Sequence, residues 1–357
     1  EEQDSVGNSI LHVKRRDNGR WKVVSPSPFN RRIYGDRPQL EFTGPLAGAE
    51  GVGATANGSL GNCSGGVTPW GTAISCEENF DDYGTEVTPD DAFAYGWHQF
   101  GGQPEDAEYE FTTFKKYGWV CEHDPYDSDY VGRKHTALGR FRHENAAFRH
   151  EPGKKFVVYM GDDKNNEAVY KFVSDRSLRP LRHRDHNRRI LEEGQLYIAR
   201  WEPEGRRRFA VAGSTDPITA TEGTGTWEPV PEDMLDDTAT KLRAAIGTGE
   251  YDTHYATNRP EDLEVAEDGS VFIALTNNST VNDSHGSVRR LQERGNDPEA
   301  LEFRWRDYAA GGPTGSGETG REGFSAPDNL VFDKAGNLWV VTDISTGSLN
   351  QPDNPYT

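Results

Sequence analysis

No apolar run in the 357-residue chain is long enough to cross a bilayer. Runs such as Phe156 to Met160 and Leu338 to Val341 fall far short of the roughly 20 residues that a spanning helix needs, which excludes an integral helical membrane protein. Lysine is scarce, with 11 residues against 28 arginines. Cations as a group are also outnumbered: 39 Lys and Arg face 59 Asp and Glu, giving a net charge of -20. Such a surface repels phosphate backbones and disfavours nucleic-acid binding, while it accumulates cations. There are three cysteines, Cys63, Cys76 and Cys121, and an odd number cannot make a complete disulfide framework. No initiator Met precedes Glu1, which reads as a mature or trimmed start. Long amphipathic helices are missing too, and 39 Gly and 20 Pro would break a bundle repeatedly. The best helical window is short, Glu232 to Ile246. Neither a serine nucleophile elbow, a Walker loop, a dinucleotide fingerprint nor a His-Glu-x-x-His zinc helix is found.

What the chain does have is aromatic residues, with 8 Trp, 14 Tyr and 16 Phe, too many for a solvated tail. It also has a recurring strand signal: an acidic turn, a glycine, then an aromatic or β-branched run. Glu267-Asp268-Gly269 leads into Val271-Phe272-Ile273-Ala274-Leu275, and Asp333-Lys334-Ala335-Gly336 into Leu338-Trp339-Val340-Val341. Looser copies precede Phe156 to Met160 and Leu196 to Ala199. Leu11 to Val24, folded about Asp17-Asn18-Gly19, has the pattern of a hairpin. Copies that resemble each other in sequence favour a β-propeller over an array of β-sandwiches. The segments Asp81 to Glu110, Arg176 to Arg189, Gly213 to Tyr251 and Ala309 to Gly323 read as insertions that line one face. Within them, Arg182 to Arg189 is a basic island, read as a solvated loop rather than a phosphate site. Asn-x-Ser/Thr sequons at Asn57, Asn62, Asn277, Asn278 and Asn282 are weak support for export.

Four segments concentrate metal-binding chemistry. Asn62-Cys63-Ser64-Gly65-Gly66 runs on to Cys76-Glu77-Glu78-Asn79, placing a thiol near carboxylates, a ligand mix that suits iron beside a harder cation. In Arg142-His143-Glu144 the last two side chains point to opposite faces of a strand and do not share one ion. Arg259-Pro260-Glu261-Asp262 sets an arginine beside two acids, able to hold a phosphate over a metal or to cap a turn. Pro327-Asp328-Asn329 precedes the last clear hairpin and is also an ordinary turn former. Gly161-Asp162-Asp163, after a strand, offers oxygen ligands for calcium or a solvated turn.

Together these segments resemble the PhoX family of alkaline phosphatases. The resemblance rests on Asn62-Cys63 with Thr68-Pro69-Trp70-Gly71-Thr72 and Cys76-Glu77-Glu78-Asn79. Gly139-Arg140-Phe141 with His143-Glu144, Met160-Gly161-Asp162-Asp163, Arg259-Pro260-Glu261-Asp262 and Pro327-Asp328-Asn329-Leu330 follow in the family's order. It covers about Leu11 to Ile344. It implies an all-β, six-bladed propeller with long loop insertions, forming one domain over residues 1–357. It also implies an exported enzyme, periplasmic, cell-surface or extracellular, that releases phosphate from small phosphomonoesters. The implied cofactors are ferric iron and calcium, with a metal-bound oxide or hydroxide as nucleophile. On this sequence the implied metal ligands are Cys63, Glu78 or its neighbour Glu77, Glu144, Glu261 and Asp328. Arg259 becomes the phosphate clamp and the catalytic arginine. With Cys63 on iron, Cys76 and Cys121 are left either as a disulfide or as two buried thiols. The strands that close the family's ring, and a further carboxylate, are not found before Thr357; the expectation is a truncated chain or a ring completed by another chain, with self-association through the open edge. The alternative is a secreted calcium-binding propeller acting as a non-catalytic binding or surface-assembly module. A calcium-only propeller hydrolase is a third reading, against which Cys63 argues, because calcium has no use for a thiolate.

Overall fold

A computed structural model describes residues 2–83, 114–204, 220–247, 254–278, 283–312 and 323–344. Two short pairs open the chain: β1 (Ser9–Ile10) with β4 (Arg31–Arg32), and the expected hairpin β2 (Val13–Arg15) with β3 (Trp21–Val23). Next come β5 (Gln39–Thr43) and β6 (Thr55–Asn57), an antiparallel pair. The first blade is the meander β7 (Asn62–Val67), β8 (Ala73–Glu77), β9 (Val120–His123) and β10 (Arg133–His135), and β5 adds to its outer edge in parallel to β10. The second is β11 (Ala147–Arg149), β12 (Val157–Gly161), β13 (Val169–Ser174) and β14 (Gly194–Pro203). After β15 (Glu222–Pro229) the third runs through β16 (Pro260–Val265), β17 (Val271–Leu275), β18 (Ser287–Glu293) and β19 (Glu302–Ala310). The hairpin β20 (Pro327–Phe332) and β21 (Leu338–Thr342) begins a fourth. This succession of four-stranded antiparallel meanders is the propeller expected from the repeats.

One connection departs from independent blades. Strand β15 pairs with β14 on one side and with β19 on the other, so the outer edges of the second and third blades merge into one nine-stranded sheet. Blades pack face on face, which explains the unalternating apolar runs. Phe156, Val158 and Met160 face the first blade's Trp70, Ile74 and Val120. Val157 and Tyr159, from the same strand region, face the third blade's Leu263, Ile273 and Trp305. Every residue of β12, β13 and β17 is buried, and strands buried on both faces read as continuous hydrophobic segments. Leu330 of the fourth blade closes on Phe272, Ala274 and Val288. The opposite face of that hairpin carries Trp339 and Val341 at 61% and 60% exposure.

The helical window forms as a 3-10 turn, Glu232–Asp237, running into the helix Thr238–Gly247, and buries Leu235, Leu242 and Ala245. No described helix is long and apolar enough to cross a membrane. The basic island is solvated along Arg182, His183, Asp185 and Arg189, and is anchored by its other two arginines. Arg184 and Arg188 both pair with Asp124, which is fully buried, so the island clamps one loop to another. Cys76 and Cys121 are free thiols. In the β8–β9 ladder Ser75 opposes Cys121 and Cys76 opposes Val120. The two sulfurs therefore leave opposite faces of the sheet, where no disulfide can form. Most of the Asp81 to Glu110 and Ala309 to Gly323 insertions, both ends of Gly213 to Tyr251, and the sequon Asn282 lie outside the described residues; the middle of Gly213 to Tyr251 is no loop but carries β15 and the helix.

Candidate metal centre

The pocket is built by one backbone arrangement used four times. In each blade an N–H at the end of the second strand donates to a carbonyl just before the innermost strand. These bonds are Glu78 to Gly61 (2.8 Å), Asp163 to Arg142 (3.2 Å), Thr276 to Arg259 (3.2 Å) and Asp343 to Ala326 (2.9 Å). Two residues beyond each acceptor stand Cys63, Glu144, Glu261 and Asp328. At or just before its innermost strand, each of the four described blades thus delivers one candidate ligand at the same position. The second strand adds Glu78, Asp163 and Asp343 in three blades, and Thr276 in the other. Gly61, Arg259 and Ala326 adopt positive φ (60°, 50° and 51°). For Arg259 and Ala326 this left-handed backbone is costly, and strain of this sort concentrates at functional sites.

The blades are drawn together at this point. A Cβ on Gly161 would lie 2.1 Å from the Pro260 carbonyl oxygen and 2.7 Å from that of Glu261, so only glycine lets the third blade's ligand strand approach the second. The residues that follow the ligands tie blade to blade on the far side. Asn145 donates to the Leu263 carbonyl (3.1 Å), and Asp262 accepts from the Leu330 N–H (2.7 Å).

A cavity of about 390 Å³ is lined by Cys63, Glu78, Glu144, Asp163, Glu261, Asp328 and Asp343, with Arg142, Lys164 and Arg259. The Cys63 thiol donates to Glu144 Oε1 at 2.9 Å. Potential ligand atoms of Cys63, Glu78 and Glu144 lie within 4.8 Å of one another, as do those of Glu144, Asp163 and Glu261, so Glu144 is common to two sets. Arg259 forks onto both oxygens of Asp163 (2.9 and 3.0 Å) and approaches Glu261 (2.6 Å).

Six carboxylates facing three cationic side chains leave the pocket short of positive charge. The consequence is visible in the acids. Burial, then the charges of Asp328 and Asp163, push Glu144 up to about 7, although its bond from Cys63 works the other way. Glu78 is raised by burial and by Glu144 and Asp163, and Glu261 by burial and by Asp163. Burial also raises Asp328, and the neighbouring Asp343 adds to this. The Cys63 thiol opens onto the pocket, yet partial burial and then Glu144 raise its pKa strongly. Burial opposes the charge on Arg259, but Asp163 and Glu261 more than offset it. Glu78 Oε1 and Asp328 Oδ1 have no hydrogen-bond partner among the described residues. Orphaned buried oxygens and carboxyls lifted by mutual repulsion are what a cation would satisfy, and the mixed thiol and carboxylate donors fit iron beside calcium.

The structure brings Cys63, Glu78, Glu144, Arg259, Glu261 and Asp328 together. It sends Glu77 elsewhere. Glu77 is fully buried on the other face of its strand, bound to Lys134 Nζ (2.7 Å), Ser59 Oγ (3.0 Å) and the N–H groups of Gly118 and Trp119 (3.0 and 3.1 Å). His143 also points away, to the Gly139 carbonyl at 2.9 Å. Asp163, weighed in the sequence only as a calcium ligand or turn, belongs to the same cluster. Asp343 and Lys164 carry no motif of their own, and Arg142, although it stands in the His143-Glu144 segment, takes no role there from the sequence alone. Aligning the blade copies on Glu144 and Asp328 would have found Asp343.

The comparisons with known proteins agree with this geometry. A family model, alkaline phosphatase PhoX, matches residues 1–353. Among solved structures, Pseudomonas fluorescens PhoX in complex with vanadate, a transition-state analogue, superposes with a TM-score of 0.76 at 30% identity, over 98% of this chain and 67% of that one. No curated protein matches significantly. A propeller whose blades converge on a thiol and carboxylate pocket, with a family match over almost its whole length, belongs to the PhoX family of alkaline phosphatases.

Proposed function

We propose that the chain hydrolyses small phosphomonoesters at a cluster of iron and calcium held in this pocket, and that it works as a single propeller domain. One observation carries the reading: four blades each turn a ligand-type side chain, Cys63, Glu144, Glu261 and Asp328, into one cation-deficient cavity. Cys63 Sγ, Glu78 and Glu144 would hold iron; Glu144, Asp163, Glu261 and Asp328 offer the oxygen donors that calcium takes. When bound, the ions supply Lewis acidity and lower the pKa of coordinated water. Arg259 is the residue to meet the phosphate. Its guanidinium now forks onto Asp163, and cations that neutralise Asp163 and Glu261 would release it for the incoming anion. A planar fork matches phosphate oxygens, and fixed positive charge stabilises the charge that spreads in phosphoryl transfer. The substrate's charge also explains why a -20 chain can bind an anion: the ions invert the local field. Export from the cytoplasm belongs to the same reading. The exposed Trp339 and Val341 of β21 mark an apolar face on which a further blade, of this chain or of a second copy, would pack.

Elemental analysis of the purified protein, read beside its visible spectrum, tests this. Iron with calcium in a coloured sample supports it. Calcium alone in a colourless sample would replace it with a calcium-stabilised binding module. Arg259→Ala is expected to keep its metals and lose at least ten-fold in inhibition by inorganic phosphate, the scale of one charged hydrogen bond; unchanged inhibition would remove the clamp.

A further inference from the structure

Arg142 stands in the second blade where Arg259 stands in the third. Each lies two residues ahead of a pocket carboxylate, Glu144 or Glu261. Each gives its carbonyl to the end of the adjoining strand, Asp163 or Thr276, at 3.2 Å. The first and fourth blades have Gly61 and Ala326 there, which have no reach. Two arginines therefore enter one cavity from neighbouring blades.

Their surroundings differ. Arg259 is held by Asp163 and Glu261, members of the ligand cluster. Arg142 is held outside it. Its Nε and Nη2 fork onto Asp81 at 2.7 and 2.9 Å, and Nη1 donates to Asn79 Oδ1 at 3.1 Å. Asp82 lies 3.7 Å away. Lys164, also on the cavity wall, reaches the same Asp81 at 3.7 Å. Arg142 and Lys164 thus form a cationic rim gathered on one acid, beside the cluster rather than within it. The hydrogen bonds use three of the five N–H donors an arginine has.

We propose that this rim sets substrate preference: Arg142, assisted by Lys164, engages a second phosphate group carried on the leaving alcohol, while Asp81 holds the fork when no such group is bound. The inference rests on the phosphatase reading above. A guanidinium fork that accepts a carboxylate accepts a phosphate in the same geometry, so a second phosphate competes with Asp81 for it.

The test uses the metal-loaded enzyme and the ratio of kcat/KM for a hexose bisphosphate to that for phenyl phosphate. Arg142→Gln is expected to lower this ratio about ten-fold, the scale of one charge-assisted hydrogen bond. Lys164→Gln should lower it by about two- to three-fold, as an exposed point charge does. Asp81→Asn should raise it, because the fork is released. A parallel fall of both constants in Arg142→Gln, with the ratio unchanged, would make Arg142 a brace for residues 79–82 and overturn the inference. If that variant does not fold, Asp81→Asn decides: an unchanged or lowered ratio overturns it. Failure of the parent reading shows separately, as phosphate inhibition that Arg259→Ala leaves intact.

Discussion

Removing the cations should make the folded protein sensitive to alkali in a way that one residue can report. In the pocket without its cations, burial and the charges of Asp328 and Asp163 push Glu144 up to about 7, above the ordinary carboxylate value of about 4.5. An acid whose folded pKa is raised holds its proton more tightly in the folded state. Its contribution is complete below the unfolded pKa and is lost as pH rises toward the folded one. For Glu144 the window is about pH 4.5 to 7, and the shift corresponds to about 3 kcal/mol. Glu78 and Glu261 shift in the same direction and extend the loss to higher pH. In a chain of this size about 3 kcal/mol moves Tm by several degrees, on the order of 5 °C. The assay is thermal unfolding of chelator-stripped protein and of stripped Glu144→Gln at pH 5 and pH 8. The variant should be the more stable of the two at pH 8, with the gap nearly closed at pH 5. In the metal-loaded protein the order reverses, because the ionised carboxylate is then needed and Gln weakens metal binding. Equal melting of the two stripped proteins at pH 8 would refute the argument that uncompensated charge governs the pocket.

Cys63→Ala should lose iron and visible absorbance while retaining the fold, checked by metal analysis and circular dichroism; retained iron would remove the thiolate. Gly161→Ala should destabilise by about 2 kcal/mol or more, because its Cβ meets carbonyl backbone that cannot step aside, and it should reduce metal content alongside. Lys134→Met leaves Glu77 buried and without its ion pair, a loss of about 3–5 kcal/mol by denaturant unfolding; iron content per folded molecule should be unchanged.

The chemistry of this site was more legible in the sequence than its geometry. Cys63, Glu144, Glu261 and Asp328 sit in motifs distinctive enough to name, and blade repetition could be read from the turn-glycine-strand copies. Adjacent acids were harder. Glu77 and Glu78 differ by one residue, and a strand sends them to opposite faces. Which face holds the pocket depends on Lys134, about 57 residues away in sequence, meeting Glu77 from another strand. The same alternation divides Glu261 from Asp262 and Glu144 from Asn145: one of each pair enters the cavity and the other ties blades together. Asp343 and Arg142 were missed because each looks ordinary alone and acquires meaning only from the register of its blade. The anchoring of the basic island was missed for a related reason: Asp124, which holds Arg184 and Arg188, lies some 60 residues earlier.

Strand β15 has a consequence for which cations the pocket can tell apart. It is laddered to β14 and to β19 at once, so the second and third blades cannot splay without breaking one of these ladders. The span between Glu144 and Asp163 on one side and Glu261 on the other is therefore set by the sheet rather than by the ion. The second blade is tied to the first beside the ligands themselves, where the Ser64 N–H donates to the Glu144 carbonyl (3.1 Å) and the His143 N–H to that of Glu77 (3.2 Å), so the span from Glu144 to Cys63 and Glu78 is held by backbone as well. Discrimination by ionic radius depends on how little a cavity can yield. A pocket braced by backbone on both sides would therefore discriminate by radius throughout, with the thiol adding selection by donor softness at one end.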